Sequence, residues 1–113
     1  MRYEAPETLD AAVRLLSSET GFTKILAGGT DLLVQMRTDI VEPEVVVDIK
    51  RIGEVRQLAE ENGGYRIGAA VTGAELGEHP TLSKVWPGVV EGAELIGSTQ
   101  IQGRATMGGN LCN

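Results

Sequence analysis

Two glycine pairs, Gly28-Gly29 and Gly108-Gly109, constrain this chain more than any other feature. A glycine takes φ > 0 at little cost and lets two backbones, or a backbone and a ligand, approach with no Cβ between them. The first pair follows Thr23-Lys24-Ile25-Leu26-Ala27, a strand-like run. It precedes Thr30, which can cap a helix, Asp31 in the first turn, and Leu32, Leu33 and Met36 as an apolar face. The local reading is strand, tight turn, helix. The glycines are not pooled as a linker. They punctuate the whole chain, 15 of them in 113 residues, close to twice the average usage of ~7%.

The periodicity of Leu9, Ala12, Val13 and Leu16 predicts a helix over residues 7–18, with Thr8 or Glu7 at its start and Gly21 beyond its end. Val45 to Ile49 reads Val-Val-Val-Asp-Ile, a strand buried on both faces. With a weak strand at Arg2-Tyr3, residues 1–52 order as βαβαβ, a small parallel sheet. Two strand-like runs, Val55 to Glu60 and Tyr65 to Ala69, then flank Glu61-Asn62-Gly63-Gly64, and Asn-Gly between such runs signals a hairpin. Residues 53–113 thus begin a second, antiparallel lobe. Thr72 caps a short helix through Ala74, Glu75 and Leu76. Pro87 opens another helix with Val89, Ala93 and Ile96 inward. Ser98 to Asn110 shows no helical period and reads as polar and extended. The end directly after Gly108-Gly109-Asn110 reads as an incomplete second lobe.

Charge and composition exclude several classes. Ten Lys and Arg against 16 Asp and Glu leave a net charge of −6, a poor match to nucleic acid or anionic membranes. No apolar run approaches the ~20 residues of a membrane span, and no signal peptide follows Met1. Cys112 stands alone, which suits a reducing cytoplasm, and one Cys with one His excludes the usual structural zinc sites. No acid–base dyad is present. His79 beside Pro80 reads as a surface histidine, Cys112 as a small buried packing residue and Trp86 as a packing residue.

The two glycine pairs carry what chemistry there is. A strand, a glycine pair and a helix start can turn successive N–H groups toward an anion, phosphate above all. A ligand-free glycine turn explains the same residues. Thr106-Met107-Gly108-Gly109-Asn110 repeats the arrangement, and two such loops could flank a pyrophosphate from both sides. Lys24 and Arg37 lie near the first loop in sequence and Arg104 near the second, so backbone donors would do most of the holding.

The combination resembles the FAD-binding medium subunit of the molybdenum hydroxylases, the xanthine dehydrogenase and carbon monoxide dehydrogenase family. The matching stretches run in order: Tyr3-Glu4-Ala5-Pro6, Leu26 to Leu33, Val47-Asp48-Ile49, Ile67 to Thr72, and Gln100 to Asn110. Gly103 stands where the family more often has Asn, and Met107 where it has Ile or Val. The resemblance implies an α+β fold, the two-lobed FAD-binding domain of the vanillyl-alcohol-oxidase and molybdopterin-dehydrogenase type, present as an N-terminal piece. It implies that Leu26, Ala27, Gly28, Gly29, Thr30, Asp31 and Leu32, with Thr106, Gly108, Gly109 and Asn110, contact FAD. Ile96 falls nearer the flavin ring. FAD would be non-covalent, since Thr30 stands where covalent attachment commonly uses His. The implied partners are an iron–sulfur subunit with [2Fe-2S] clusters and a large molybdopterin subunit, with NAD or another acceptor taking the electrons. The implied protein is a cytoplasmic flavin-dependent oxidoreductase subunit, and the 113 residues alone would be inactive. Another flavoenzyme of the same broad fold and a non-catalytic nucleotide-binding module are the competing readings.

Overall fold

The structure is a computed structural model and describes residues 1–113. In chain order its elements are β1 (Arg2–Glu4), α1 (Leu9–Ser18), β2 (Thr23–Leu26), α2 (Leu32–Arg37), β3 (Val45–Asp48), a 3-10 turn (Gly53–Arg56), β4 (Leu58–Glu61) and β5 (Gly64–Ile67). Five short helices follow: α3 (Gly73–Glu78), α4 (Leu82–Val85), α5 (Pro87–Glu94), α6 (Thr99–Gln102) and α7 (Met107–Cys112).

All of β3 is buried, as its unbroken Val-Val-Val-Asp run requires. It is the central strand of a parallel sheet of order β1-β3-β2, with Arg2 and Thr23 both opposite Val45, and Leu26 opposite Asp48. Parallel neighbours need crossovers, and α1 and α2 supply them. Thr8 starts α1, its hydroxyl oxygen accepting the Ala11 N–H at 3.1 Å. Of the predicted stripe on α1 only Ala12 is fully buried, and Val13 is 58% exposed. The periodicity finds the helix but not a covered face.

The second half opens with the antiparallel hairpin β4–β5, Leu58 opposite Ile67 and Glu61 opposite Gly64. The first strand is shorter than the sequence predicts, because Gly53 to Arg56 wind into the 3-10 turn. Asn62 and Gly63 have φ of 51° and 82°, the left-handed pair of a type I′ turn. A Cβ on Gly63 would meet open space, so Gly63→Ala isolates the conformational cost. We expect about 1 kcal/mol of destabilisation, read as a lowering of Tm of roughly 4 °C in a thermal melt.

Val71, Leu76, Leu82, Val90 and Ala93 form the second core, with Leu58, Tyr65, Ile67 and Met107 packed against it. Thr72 caps α3 as predicted, accepting the Glu75 N–H at 3.2 Å. On α5 the inward residues are Val90 and Ala93, while Val89 is 41% exposed.

Residues 98–110 are not extended. They form α6 and α7, each started by a hydroxyl cap: Ser98 accepts from the Ile101 N–H at 3.3 Å and Thr106 from the Gly109 N–H at 3.1 Å. Helices this short carry too few residues to display a period, and a single cap plus tertiary contacts decides them. No helix is long and apolar enough to cross a membrane.

Candidate functional site: the first glycine loop and the cleft beneath it

Leu26 ends β2, an edge strand, and is itself buried. From Ala27 through Leu32 no backbone N–H donates to any atom of the chain. Buried backbone donors are nearly always paired, yet Gly28 is buried and its N–H has no partner. The run leads into α2, whose first flanking residue is Asp31, not the predicted Thr30, and no side chain caps the helix. The predicted cap therefore does not consume these donors. Asp31 is exposed, and its carboxylate accepts from the Gln35 amide at 2.7 Å.

Two carbonyls of the same loop are held from outside it. Lys50 Nζ donates to Ala27 O at 2.7 Å, and Arg104 Nε donates to Gly28 O at 3.3 Å. Gly29 has φ of 80°, the conformation that favours glycine. Gly28 is required for a different reason: a Cβ there would lie 1.9 Å from Arg104 O. The two distant segments thus meet backbone to backbone.

The second glycine pair behaves differently. Met107 N–H donates to Val71 O and Gly108 N–H to Ala69 O, both at 2.9 Å, while Gly109 N–H goes to the Thr106 hydroxyl and Asn110 N–H to Thr106 O. Thr106 is buried and bridges to Thr72, and Gly73 N–H donates to Ala105 O at 3.0 Å. These bonds tie the 104–110 segment to the residues following the hairpin. Of the residues singled out in the sequence, Ala27 to Leu32 present free donors. Thr106, Gly108 and Gly109 are committed within the chain, and Asn110 is exposed.

Beside the contact lies a cleft of about 250 Å³ lined by Gly28, Lys50, Arg56, Glu75, Arg104 and Thr106 among others. Arg56 approaches Glu75 at 3.7 Å. Lys24 and Arg37 do not line it, and Lys24 sits over the Phe22 ring at 5.5 Å. Lys50 and Arg56 were not singled out in the sequence. The signal available was register: Lys50 follows the end of β3, beside the end of β2, where the loop begins. A larger hollow of about 380 Å³ at the hairpin tip is walled by a single turn, Glu61 to Arg66.

Asp48 organises this end of the sheet. It is buried, accepts the Tyr3 hydroxyl at 2.5 Å and the Lys50 N–H at 2.9 Å, and pairs with Lys50 Nζ at 2.9 Å. Burial pushes its carboxyl upward, but the Tyr3 hydroxyl and the Lys50 amide and ammonium outweigh burial and hold it below its ordinary value. The same bond raises the Tyr3 phenol.

The remaining candidates are structural or solvent-facing. His79 Nδ1 accepts the Leu82 N–H at 3.0 Å and its ring stands edge-on to Tyr65 at 5.6 Å. It is half-buried and caps a helix rather than projecting from the surface. Cys112 is exposed, not the buried packing thiol that the sequence suggests. Trp86 is 49% exposed. No three His, Cys, Asp or Glu side chains gather as a metal would need.

The loop at the end of β2 thus presents a run of N–H groups without acceptors, with Lys50 and Arg104 bonded to its carbonyls, and such a run can accept an anionic ligand. Residues 1–113 match the family described as the FAD binding domain in molybdopterin dehydrogenase, and the chain belongs to that family. It is 36% identical over 111 residues to the carbon monoxide dehydrogenase medium chain of Hydrogenophaga pseudoflava, covering 98% of this chain and 39% of that one. It is 35% identical to the nicotinate dehydrogenase FAD-subunit of Eubacterium barkeri, covering 95% of this chain and 36% of that one. Among solved structures, carbon monoxide dehydrogenase from Hydrogenophaga pseudoflava superimposes with a TM-score of 0.93 over 98% of this chain and 39% of that one, at 36% identity. The chain thus spans about two fifths of the length of the curated relatives it matches.

Proposed function

We propose that this domain binds FAD non-covalently, with the pyrophosphate on the donor face of Ala27 to Leu32, and serves an electron-transfer subunit of a molybdenum-containing hydroxylase. The observation that carries this is the run of N–H groups without acceptors, one of them on the buried Gly28. A pyrophosphate supplies the acceptors that such a run lacks. Leu26 to Leu32 would hold it, Leu26 as the buried anchor below. Thr106, Gly108, Gly109 and Asn110 would close the second side, with Asn110 the member still free to reach a ligand. In this reading residues 1–52 and 53–113 are two lobes of one FAD-binding domain, and the site lies between them.

FAD supplies reversible one- and two-electron chemistry. In the proposed complex an iron–sulfur subunit with [2Fe-2S] clusters and a large molybdopterin subunit would be the partners that supply the electrons, and NAD or another acceptor would take them. This chain's residues bind and orient the flavin. Neighbouring reading frames for the two partner subunits would support the assembly.

The test is the flavin content of the protein purified at its full natural length. Acid or heat denaturation should release one FAD per chain into the supernatant. A colourless protein that binds nucleotide but no flavin would overturn the reading, and flavin that stays attached after denaturation would point to a covalent flavoenzyme.

A further inference from the structure

We infer that Lys50 is a positioning residue for the phosphate-binding loop: its ammonium holds the Ala27 carbonyl on the side away from the ligand, so the next N–H must face it. The inference rests on the reading of Ala27 to Leu32 as the FAD cradle.

A peptide flanked by glycine flips at low cost, because no Cβ opposes the rotation. The loop contains two such peptides in succession, Ala27–Gly28 and Gly28–Gly29. In a trans peptide the C=O and the following N–H point in opposite directions. Whatever fixes a carbonyl therefore fixes the next donor. Lys50 Nζ fixes Ala27 O at 2.7 Å and so directs the Gly28 N–H, while Arg104 Nε fixes Gly28 O at 3.3 Å and so directs the Gly29 N–H. Both cations come from outside the loop.

Lys50 is itself held. Its ammonium pairs with Asp48 at 2.9 Å, and Asp48 in turn accepts the Tyr3 hydroxyl at 2.5 Å. The chain of contacts crosses the ends of the three parallel strands in their spatial order, β1 to β3 to β2. An Asp48 buried at this point would be a liability in a sheet with no loop to position. Here it sets the direction of Lys50. A loop arranged before the ligand arrives avoids the ordering cost at binding.

The experiment is an FAD titration of the apoprotein at full natural length, followed by flavin fluorescence, in low salt and in about 1 M salt. Loss of one charge-assisted hydrogen bond on the loop should weaken FAD about tenfold in Lys50→Met. Lys50→Arg, which keeps the reach and the donor, should bind within about threefold of the unsubstituted protein. The Lys50→Met deficit should persist in high salt, where an exposed charge is screened within about 3 Å. Three results would overturn the inference: Lys50→Met binding within twofold of the unsubstituted protein, Lys50→Arg as weak as Lys50→Met, or a deficit that vanishes in high salt and so reflects plain charge attraction. Should Lys50→Met fail to fold, Tyr3→Phe serves instead. Tyr3 is half exposed, and its loss loosens Asp48 without touching the loop. It should weaken FAD about threefold, and an unchanged titration would equally overturn the inference. An unsubstituted protein that takes up no FAD sinks the cofactor reading itself, whereas FAD binding indifferent to these changes sinks the clamp alone.

Discussion

A Gly28→Ala chain is expected to lose its flavin and about 3 kcal/mol of stability. The added Cβ would lie 1.9 Å from Arg104 O and 2.6 Å from its carbonyl carbon. Both are backbone atoms, so no side chain can swing aside, and the loop must part from the 104–105 segment. Overpacking typically costs about 1–3 kcal/mol, and this site falls at the upper end because the contact joins two segments far apart in sequence. Parting them also releases Gly28 O from Arg104 and frees the peptide whose N–H the ligand needs. The check is flavin per chain together with a urea unfolding curve. Gly53→Ala is the control: a Cβ there meets nothing within 4 Å, and we expect a change within about 0.5 kcal/mol. Unchanged flavin and an unchanged urea midpoint in Gly28→Ala would show that the two segments do not touch in this way.

Asp48→Asn is expected to cost about 2 kcal/mol at neutral pH, and the cost should fade in acid. Hydrogen bonds to a charged group are worth about 1.5–3 kcal/mol each. We take the lower part of that range because the Lys50 side chain is 39% exposed and solvent screens its share. Since folding lowers the carboxyl's pKa, ionised Asp48 contributes stability that is fully present above its unfolded value of about 3.9. That contribution is lost as pH falls from there through the folded pKa. The unsubstituted protein and Asp48→Asn should therefore differ most above about pH 4 and converge below it. Urea midpoints measured across this range give the comparison directly. A difference that stays constant into strong acid would mean that ionised Asp48 is not what Tyr3 and Lys50 hold.

What was legible in the sequence was local. Val45 to Asp48 announces a doubly buried strand because four consecutive residues carry the signal. Asn62-Gly63 announces its turn because both residues tolerate φ > 0. Thr23 to Leu33 announces strand, glycine turn and helix because the strand run, the glycine pair and the apolar face follow one another directly. What was not legible depended on contacts between distant segments. Lys50 reaches the cleft only through the parallel register that sets the ends of β2 and β3 side by side, and Arg56 through the 3-10 turn that follows. The helical turns at Thr99–Gln102 and Met107–Cys112 rest on single hydroxyl caps and on bonds to Val71, Ala69 and Gly73. The two glycine pairs look alike in sequence, but the second spends its N–H groups on Ala69 and Thr106. Only the tertiary fold separates a donor face from a brace.

The strand order β1-β3-β2 also sets a timetable for synthesis. β1 and β2 leave the ribosome before β3 and have no bond to each other, since both pair only with Val45–Asp48. At about 5–20 residues per second, β1 waits for seconds as an unpaired strand with open edges, a state prone to aggregation. Translation that slows just before Val45 emerges lengthens that exposure. Translation that slows once Lys50 has cleared the ribosome lets the sheet close, and lets Lys50 take hold of Ala27, before the rest of the chain emerges.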